Sequence, residues 1–481
     1  DLWTRTGDQK ILIRRPVTTA DWSVFERYSS RVQILGDTDS DILGGIDAEF
    51  IYAVMSFCSQ SLLVPNLQVL YCRGYPRDLH LCMRYLLGSN LIYLCLLPPS
   101  GDFWTSSMSS VLSGLGRHSP RLEVVEVIQC QVPPNVAELA LCGFPHLRKA
   151  SLVLPNVGDS SWLSRLVGLQ ELYIHFAGLF FPVLKYQLRT CTLDKLVIGS
   201  RNLTITATIV EEWVVPCREL QLNCTCAESA VAFENALRSL DNRLLCDVLE
   251  RILLDVGNLD EHIDNFFTLR TFTPLMRFSG LKEVDLSSLC ISLLDDHALG
   301  SIVESWPRLE CLHLGTKYLW KTPPKITFRG FVTVLSSCPD LRELGLVFNA
   351  KKVDPPTDEK PGGGICNTNI TTFDVGFSPI EKPLPVAIAL SAILPYLRKI
   401  DVEFGPRNTD LKAREAKWRE VLEHIRVCMF DTAGLEFNVM MQRRSIRRAT
   451  TYKDFLHVFH LTSGTGSNTT SEVRRKNSVL V

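Results

Sequence analysis

Apolar residues recur along most of the chain in one fixed spacing: an anchor, two variable residues, a second apolar residue, one variable residue and a third apolar residue. Leu309-Glu-Cys-Leu312-His-Leu314 shows this pattern plainly. In an extended strand, residues two apart point to the same face, so the apolar pair enters a core and the residue between them faces away. The pattern therefore predicts short strands with one buried face. It occurs thirteen times, at 65–70, 91–96, 120–127, 145–152, 169–174, 193–198, 217–222, 249–254, 281–286, 309–314, 341–346, 370–375 and 397–402.

The spacing between these units indicates the architecture. Consecutive anchors lie 22 to 32 residues apart, close to the period of about 20–29 residues that is typical of leucine-rich repeats. One match in a leucine-rich chain would carry little weight, but thirteen in order make a chance origin a poor explanation. The predicted fold class is α/β: a leucine-rich-repeat solenoid over 61–408, with a curved parallel sheet on the concave side and helices on the convex side. A Pro- and Gly-rich segment at about 349–369 is predicted to be an exposed loop insertion.

The N-terminal residues 1–60 do not follow the repeat. They contain a predicted short helix, capped by Thr19 or Asp21, that leads into a strand at 32–35. One face of this helix carries three aromatic residues, Trp22, Phe25 and Tyr28. We expect this segment to cap the first repeat, because the end of a solenoid otherwise exposes its core.

The C-terminal residues also depart from the repeat. Residues 409–461 are predicted to form a second cap, built on an amphipathic helix at 411–427. The composition of 462–481, rich in Ser, Thr, Gly and Asn, predicts a disordered tail. Within the predicted cap, the basic cluster 443–448 is a nuclear-localisation signal, a nucleic-acid patch or a solvated charge run.

Composition excludes several classes of function. The 51 basic and 52 acidic residues give a net charge of −1, so a nucleic-acid partner is not expected. The longest apolar run, 386–397, is interrupted and shorter than the roughly 20 residues a membrane span needs. The 16 cysteines include no Cys-x-x-Cys pair, which argues against a zinc ribbon and favours reduced thiols in the cytoplasm or nucleus.

Motifs of catalysis are missing from the sequence. It contains no phosphate-binding loop, no Gly-x-Ser-x-Gly elbow and no His-Glu-x-x-His metal motif. Asp295 and Asp296 stand next to His297, but they precede an apolar helical stretch and are interpreted as helix-capping residues. The sequence therefore predicts a protein that is not an enzyme and has no cofactor and no metal site.

The chain resembles a known family through features spread over 1–402. In order, these are Leu2-Trp3, Arg15-Pro16, Asp21-Trp22, Phe25, Tyr28, Arg31-Val32 and irregular repeats that open with Pro65-Asn-Leu67-Gln. Together they resemble the large fungal group, of basidiomycete type, of F-box proteins with leucine-rich repeats.

This resemblance implies a substrate-recognition subunit of a cullin-type (SCF) ubiquitin ligase, with the substrate protein held on the repeats. In that family an F-box of about forty residues precedes the Leu-Trp segment and docks the protein on the ligase. The given sequence starts at Asp1, so docking is expected only through an F-box that lies outside it. The alternative is a signalling or assembly scaffold with no ligase role.

The candidate binding residues occupy the variable strand positions, which line the concave face of a solenoid. They are Tyr71, Arg73, Tyr93, Tyr173, His175, Asp255, Glu283, Asp285, Asp374, Asp401 and Glu403. Because this set becomes acidic toward the C-terminus, we expect that half to attract a basic protein segment. The alternative interpretation is a solvated sheet face without a partner.

Overall fold

A computed structural model shows one long parallel sheet with helices packed against one face. It describes residues 2–5, 11–36, 48–57, 62–73, 83–97, 105–155, 161–178, 193–207, 216–225, 230–243, 248–257, 267–402 and 409–432, apart from 167, 205, 292, 321 and 354–360. The strands are β1 Trp3–Arg5, β2 Ile11–Ile13, β3 Ile34–Leu35, β4 Val69–Arg73, β5 Tyr93–Leu97, β6 Val124–Gln131, β7 Lys149–Leu154, β8 Glu171–Phe176, β9 Leu193–Ser200, β10 Cys217–Cys224, β11 Arg251–Val256, β12 Glu283–Leu286, β13 Cys311–Leu314, β14 Glu343–Leu346, β15 Thr372–Asp374 and β16 Lys399–Asp401.

The helices follow the strands along the chain. They are α1 Thr19–Ser29, α2 Ala48–Phe57, α3 Ser106–Ser113, α4 Leu115–His118, α5 Pro134–Leu141, α6 Ala230–Arg243, α7 Leu269–Phe272, α8 Asp296–Glu304, α9 Phe328–Ser337, α10 Pro383–Ile393 and α11 Thr409–Thr432. No helix in the described residues is long and apolar enough to cross a membrane.

Strands β3 to β16 form the sheet in simple sequential order, each parallel to the next. The register places equivalent apolar residues side by side: Leu220 lies between Leu196 and Ile252 in the neighbouring strands. All three side chains are at most 3% exposed. Each repeat thus covers the core of the next one, and the predicted leucine-rich-repeat solenoid is confirmed, with all thirteen predicted strands present.

Side-chain hydrogen bonds cap helix α8 and join it to the start of helix α9. The Asp295 carboxylate caps α8 by accepting from the backbone N–H of Ala298 at 2.8 Å. Its neighbour Asp296 accepts from the backbone N–H and the hydroxyl of Thr327, the N-cap of α9, at 2.7 and 2.6 Å. The interpretation as a helix-capping residue is confirmed for Asp295, whereas the Asp296 side chain joins one repeat to the next.

The C-terminal helix α11 covers the last repeats. Trp418, Val421 and Ile425 are fully buried, and the Trp418 indole N–H donates to the carbonyl of Ser378 at 3.0 Å. Only the part of the predicted C-terminal cap up to 432 is described. The basic cluster 443–448 and the predicted tail 462–481 lie outside the described residues.

Two expectations about connecting segments need correction. Helix α1 is capped by Thr18, not by Thr19 or Asp21. The Thr18 hydroxyl accepts from the N–H of Asp21, and the Asp21 carboxylate accepts from the N–H of Thr18. The predicted exposed insertion at 349–369 is packed at both ends. Ala350 and Asn367 are buried, and Asn367 donates to the carbonyl of Leu341 at 3.0 Å.

Candidate functional site

The sheet face opposite the core, here called the open face, carries the variable residues in rows that cross the strands. The first row contains Val69, Tyr93, Val124, Lys149, Glu171, Lys195, Glu219, Arg251, Glu283, Cys311, Glu343, Thr372 and Lys399. The second row, two residues further along each strand, contains Tyr71, Cys95, Glu126, Ser151, Tyr173, Val197, Gln221, Leu253, Asp285, His313, Gly345, Asp374 and Asp401. Most of these side chains are half-buried.

Charges in the first row alternate in sign from β7 to β12. The run is Lys149, Glu171, Lys195, Glu219, Arg251 and Glu283. Its nitrogen–oxygen distances are 3.9 Å for Lys149–Glu171, 2.5 Å for Lys195–Glu219, 3.8 Å for Arg251–Glu219 and 3.1 Å for Arg251–Glu283. Exposed pairs of this kind contribute only about 0–1 kcal/mol each. Their main effect is to cancel charge along the row. The sequence analysis did not predict this row, although the sequence itself shows that charges of opposite sign alternate at this strand position from one repeat to the next.

The N-terminal part of the open face joins three of the predicted tyrosines in one network. The rings of Tyr71 and Tyr93 lie 4.9 Å apart, and the Tyr93 hydroxyl donates to Glu126 at 2.5 Å. Glu126 also pairs with Lys149 at 2.9 Å, and the Lys149 ammonium lies 4.9 Å from the ring centre of Tyr173. The polar groups of these side chains therefore contact mainly one another.

The environment of these tyrosines favours their neutral form. Burial and the adjacent Glu126 carboxylate raise the pKa of Tyr93 well above its ordinary value of 10.0. Burial and the nearby Glu171 raise the pKa of Tyr173 to about 12. Both side chains therefore remain hydrogen-bond donors at physiological pH.

A groove with a volume of about 540 Å³ lies on strands β6 to β10. Tyr173 and His175 line it together with apolar residues such as Val153. The His175 imidazole lies across Gly199, where a Cβ would come within 2.3 Å of its Nδ1 atom. Burial lowers the pKa of His175, which favours the neutral ring. At the groove edge the β6–β7 register shifts, and Gln129 adopts a φ of 62°.

Those acidic residues of the predicted C-terminal set that the structure describes all lie on the open face. Several of them form ion pairs or hydrogen bonds with nearby residues. Glu283 pairs with Arg251, as given above, Asp255 pairs with Lys317 at 2.5 Å, and Asp401 pairs with Lys399 at 2.8 Å. Asp285 and Asp374 accept backbone N–H groups from Ser287 and Gly376, each at 2.9 Å. Arg73 lies in β4, but its side chain is outside the described residues, as is Glu403 altogether.

Three potential metal ligands meet on β13 and β14. One ligand atom each from Cys311, His313 and Glu343 lies within 4.8 Å of the others, and the Cys311 Sγ atom is 3.7 Å from a Glu343 carboxylate oxygen. Burial, then Glu343, Glu283 and Asp285, raise the pKa of the Cys311 thiol to about 12. The sequence analysis predicted no metal site. This cluster could not be found from spacing along the chain, because Glu343 stands 32 residues after Cys311 and only the strand register brings them together.

The fold and the open face define a leucine-rich-repeat solenoid with a polar sheet face. No protein-family profile matches the chain, and no curated protein sequence matches it. Among solved structures 82 chains match. An internalin (inlF) from Listeria monocytogenes str. 4b F2365 is 18% identical, with 67% of this chain and 83% of that chain covered and a TM-score of 0.37. TLR13, solved in complex with ssRNA13, is 16% identical, with 84% of this chain and 68% of that chain covered and a TM-score of 0.38.

Proposed function

We propose that this protein is a binding scaffold, and that the open face of strands β11–β16 holds a basic segment of a partner protein. One observation carries the proposal: carboxylates outnumber cations on this part of the face. The carboxylates are Asp255, Glu283, Asp285, Glu343, Asp374 and Asp401, and the cations are Arg251, Lys317 and Lys399.

The ion pairs do not remove this excess. Within the described part of the chain, no lysine or arginine pairs with Asp285, Glu343 or Asp374. Two of these carboxylates are oriented by backbone N–H groups instead. An incoming lysine or arginine side chain supplies the charge that the face lacks, and such complementarity speeds association and selects the partner.

The sheet also suits binding because its geometry is formed in advance. The parallel register runs through all strands from β11 to β16, and the residues between the open positions, such as Val284, Leu312 and Leu344, are at most 1% exposed. A rigid face loses little conformational entropy when a partner binds, so more of the interaction energy appears as affinity.

In its finer form, the proposal is that the bound protein is a substrate presented to a cullin-type ubiquitin ligase. The resemblance of 1–402 to fungal F-box proteins supports this form. A scaffold for signalling or assembly, without a ligase role, is the second candidate. Both roles are binding without catalysis, and free buried thiols such as Cys217 and Cys338 support a place in the cytoplasm or nucleus.

Selection of peptides from a random displayed library tests the binding proposal directly. We expect the wild-type chain to enrich Lys- and Arg-rich peptides whose affinity falls with added salt. The double variant E283K/D285K should bind them at least tenfold more weakly. The matched control E304K/E423K changes the net charge equally but alters exposed residues on helices α8 and α11. Peptides without basic residues, or equal binding to E283K/D285K, would contradict the proposal.

Affinity purification from the native cells tests the finer form separately. If the protein serves a ubiquitin ligase, its natural gene product co-purifies with cullin-type subunits, whether or not E283K/D285K is present, because ligase docking and substrate binding use different surfaces. Recovery of a partner that depends on Glu283 and Asp285, without any ligase subunit, supports the scaffold candidate instead.

A further inference from the structure

The alternation of charge in the first row ends after Glu283. After Lys149, Glu171, Lys195, Glu219, Arg251 and Glu283, the next residue in the row would be a cation; the chain has Cys311 there, and Glu343 follows on the next strand. Cys311 thus stands between Glu283 and Glu343 in register, where earlier strands place Lys195 between Glu171 and Glu219. The position lies between two carboxylates and lacks the basic side chain that Lys195 and Arg251 supply at the corresponding positions of earlier strands.

The residues around this position are those that bind a soft divalent cation. His313 follows Cys311 on the same face of β13, and the Cys311 Sγ atom lies 3.7 Å from Glu343. In a tetrahedral zinc site, metal–ligand bonds of about 2.0–2.3 Å place the ligand atoms roughly 3.3–3.8 Å apart. The Cys311–Glu343 distance is already in that range. The remaining distances are within 4.8 Å, and small rotations of the His313 and Glu343 side chains would shorten them to it.

We propose that Cys311, His313 and Glu343 bind one divalent transition-metal ion, with zinc as the favoured metal. A thiolate, an imidazole and a carboxylate together prefer zinc to the hard cations magnesium and calcium. On binding, the Cys311 S–H bond breaks, the sulfur binds the metal through the electron pair it retains, and the proton passes to solvent. The fourth position faces solvent, because this side of the sheet is open.

Neighbouring groups support the three ligands. Asp285 is the register partner of His313, and Glu283 that of Cys311, so two further carboxylates lie beside the metal position. A carboxylate next to a metal-binding histidine orients its ring and strengthens its binding. Gly345 leaves the space that the His313 ring occupies, since a Cβ there would come within 2.3 Å of Nδ1. The metal site shares Glu343 with the acidic surface of the proposed function, but metal binding is measured on the protein alone, without a partner.

Zinc and cobalt binding to the full chain test the proposal. We expect one equivalent of zinc after equilibrium dialysis, and a thiolate-to-metal charge-transfer absorption when cobalt(II) is used instead. C311S should abolish that absorption, and H313Q and E343Q should each weaken metal binding at least tenfold. The matched control is H175Q, since His175 also lies over a glycine of the next strand but belongs to no three-ligand cluster within the described residues.

One further variant separates a metal site from a merely structural cysteine. C311K places a fixed cation between Glu283 and Glu343, so it should fold normally, lose zinc binding and lose the zinc-dependent rise in melting temperature expected of the wild type. The proposal is overturned if the wild type binds no more zinc than C311S, if cobalt gives no thiolate absorption, or if H175Q weakens binding as much as H313Q does.

Discussion

The two halves of the open face share one scaffold but use it differently. In β4–β8, Tyr93, Glu126, Lys149 and Tyr173 contact one another and satisfy most of their own polar groups. In β12–β15, carboxylates such as Asp285 and Asp374 accept only backbone N–H groups. The same rows of register partners cross both halves, although the β6–β7 register shifts between Glu126 and Gln131. The difference in contacts comes from side chains at positions that do not contribute to the core. A solenoid can therefore vary its surface chemistry from repeat to repeat while its fold stays unchanged.

The cores beneath the two halves differ as well. Under β13–β15 the rings of Phe331, Phe348 and Phe373 stack with centroid distances of 5.3 to 6.0 Å, and Trp418 of the C-terminal helix packs on Phe348. The N-terminal repeats bury mainly leucine, valine and alanine side chains. The C-terminal half concentrates its packing in a few large residues, and this makes it sensitive to single substitutions.

The largest expected effect comes from F331A. Removing this fully buried ring should lower the free energy of unfolding of the C-terminal half by about 3–5 kcal/mol. Because each repeat contacts mainly its neighbours, we expect faster amide hydrogen exchange in β13–β15 and unchanged exchange in β7–β8. The control L139A alters a side chain that is 63% exposed and should change stability by less than about 0.5 kcal/mol. Equal loss of protection in both halves would show that the solenoid unfolds as one unit.

An intermediate loss of stability is expected at alkaline pH, and it arises from residues in the N-terminal half. The pKa values of Tyr93 and Tyr173 are raised in the folded chain above the ordinary value of 10.0. Between pH 10 and the raised values, the folded state holds protons that the unfolded state has lost. The contribution of these two hydroxyls to stability is therefore fully present below about pH 10 and is lost above it.

Denaturant unfolding at stepped pH, followed by tyrosinate absorbance, measures this loss. The double variant Y93F/Y173F removes both ionisable hydroxyls and should flatten the decline above pH 10. A decline of the same steepness in the variant would mean that other groups cause the alkaline instability.

The smallest effects are expected for two glycines that occupy equivalent places in the two halves. A Cβ at Gly199 or at Gly345 would meet the Nδ1 atom of His175 or His313, respectively, at 2.3 Å. Because the imidazole can rotate away, G199A and G345A should each cost only about 1 kcal/mol or less in denaturant unfolding. Only G345A should also weaken zinc binding, since only it moves a proposed ligand. Equal zinc binding by both variants would contradict the assigned role of His313.

Much of the fold could be predicted because the signal is local. The alternation of apolar and variable residues in segments such as 309–314 predicts which residues are buried. The structure confirms this prediction for Leu309, Leu312 and Leu314, all at most 1% exposed. The candidate open-face residues that are described, from Tyr71 to Asp401, also follow from this alternation. Their partners could not be predicted in the same way: Asp255 pairs with Lys317, which stands 62 residues later.

The sequence by itself determined the thirteen repeat strands, their buried faces and the residues left for binding, because period-two alternation acts within a few residues of each strand. Only the tertiary structure decided which open residues become neighbours. The repeats differ in length, from 22 to 32 residues between anchors, and lateral alignment depends on how the apolar side chains of successive repeats stack. That stacking brings the Cys311 thiol beside Glu343 and the Lys195 ammonium beside Glu219, and so creates both the charge row and its interruption.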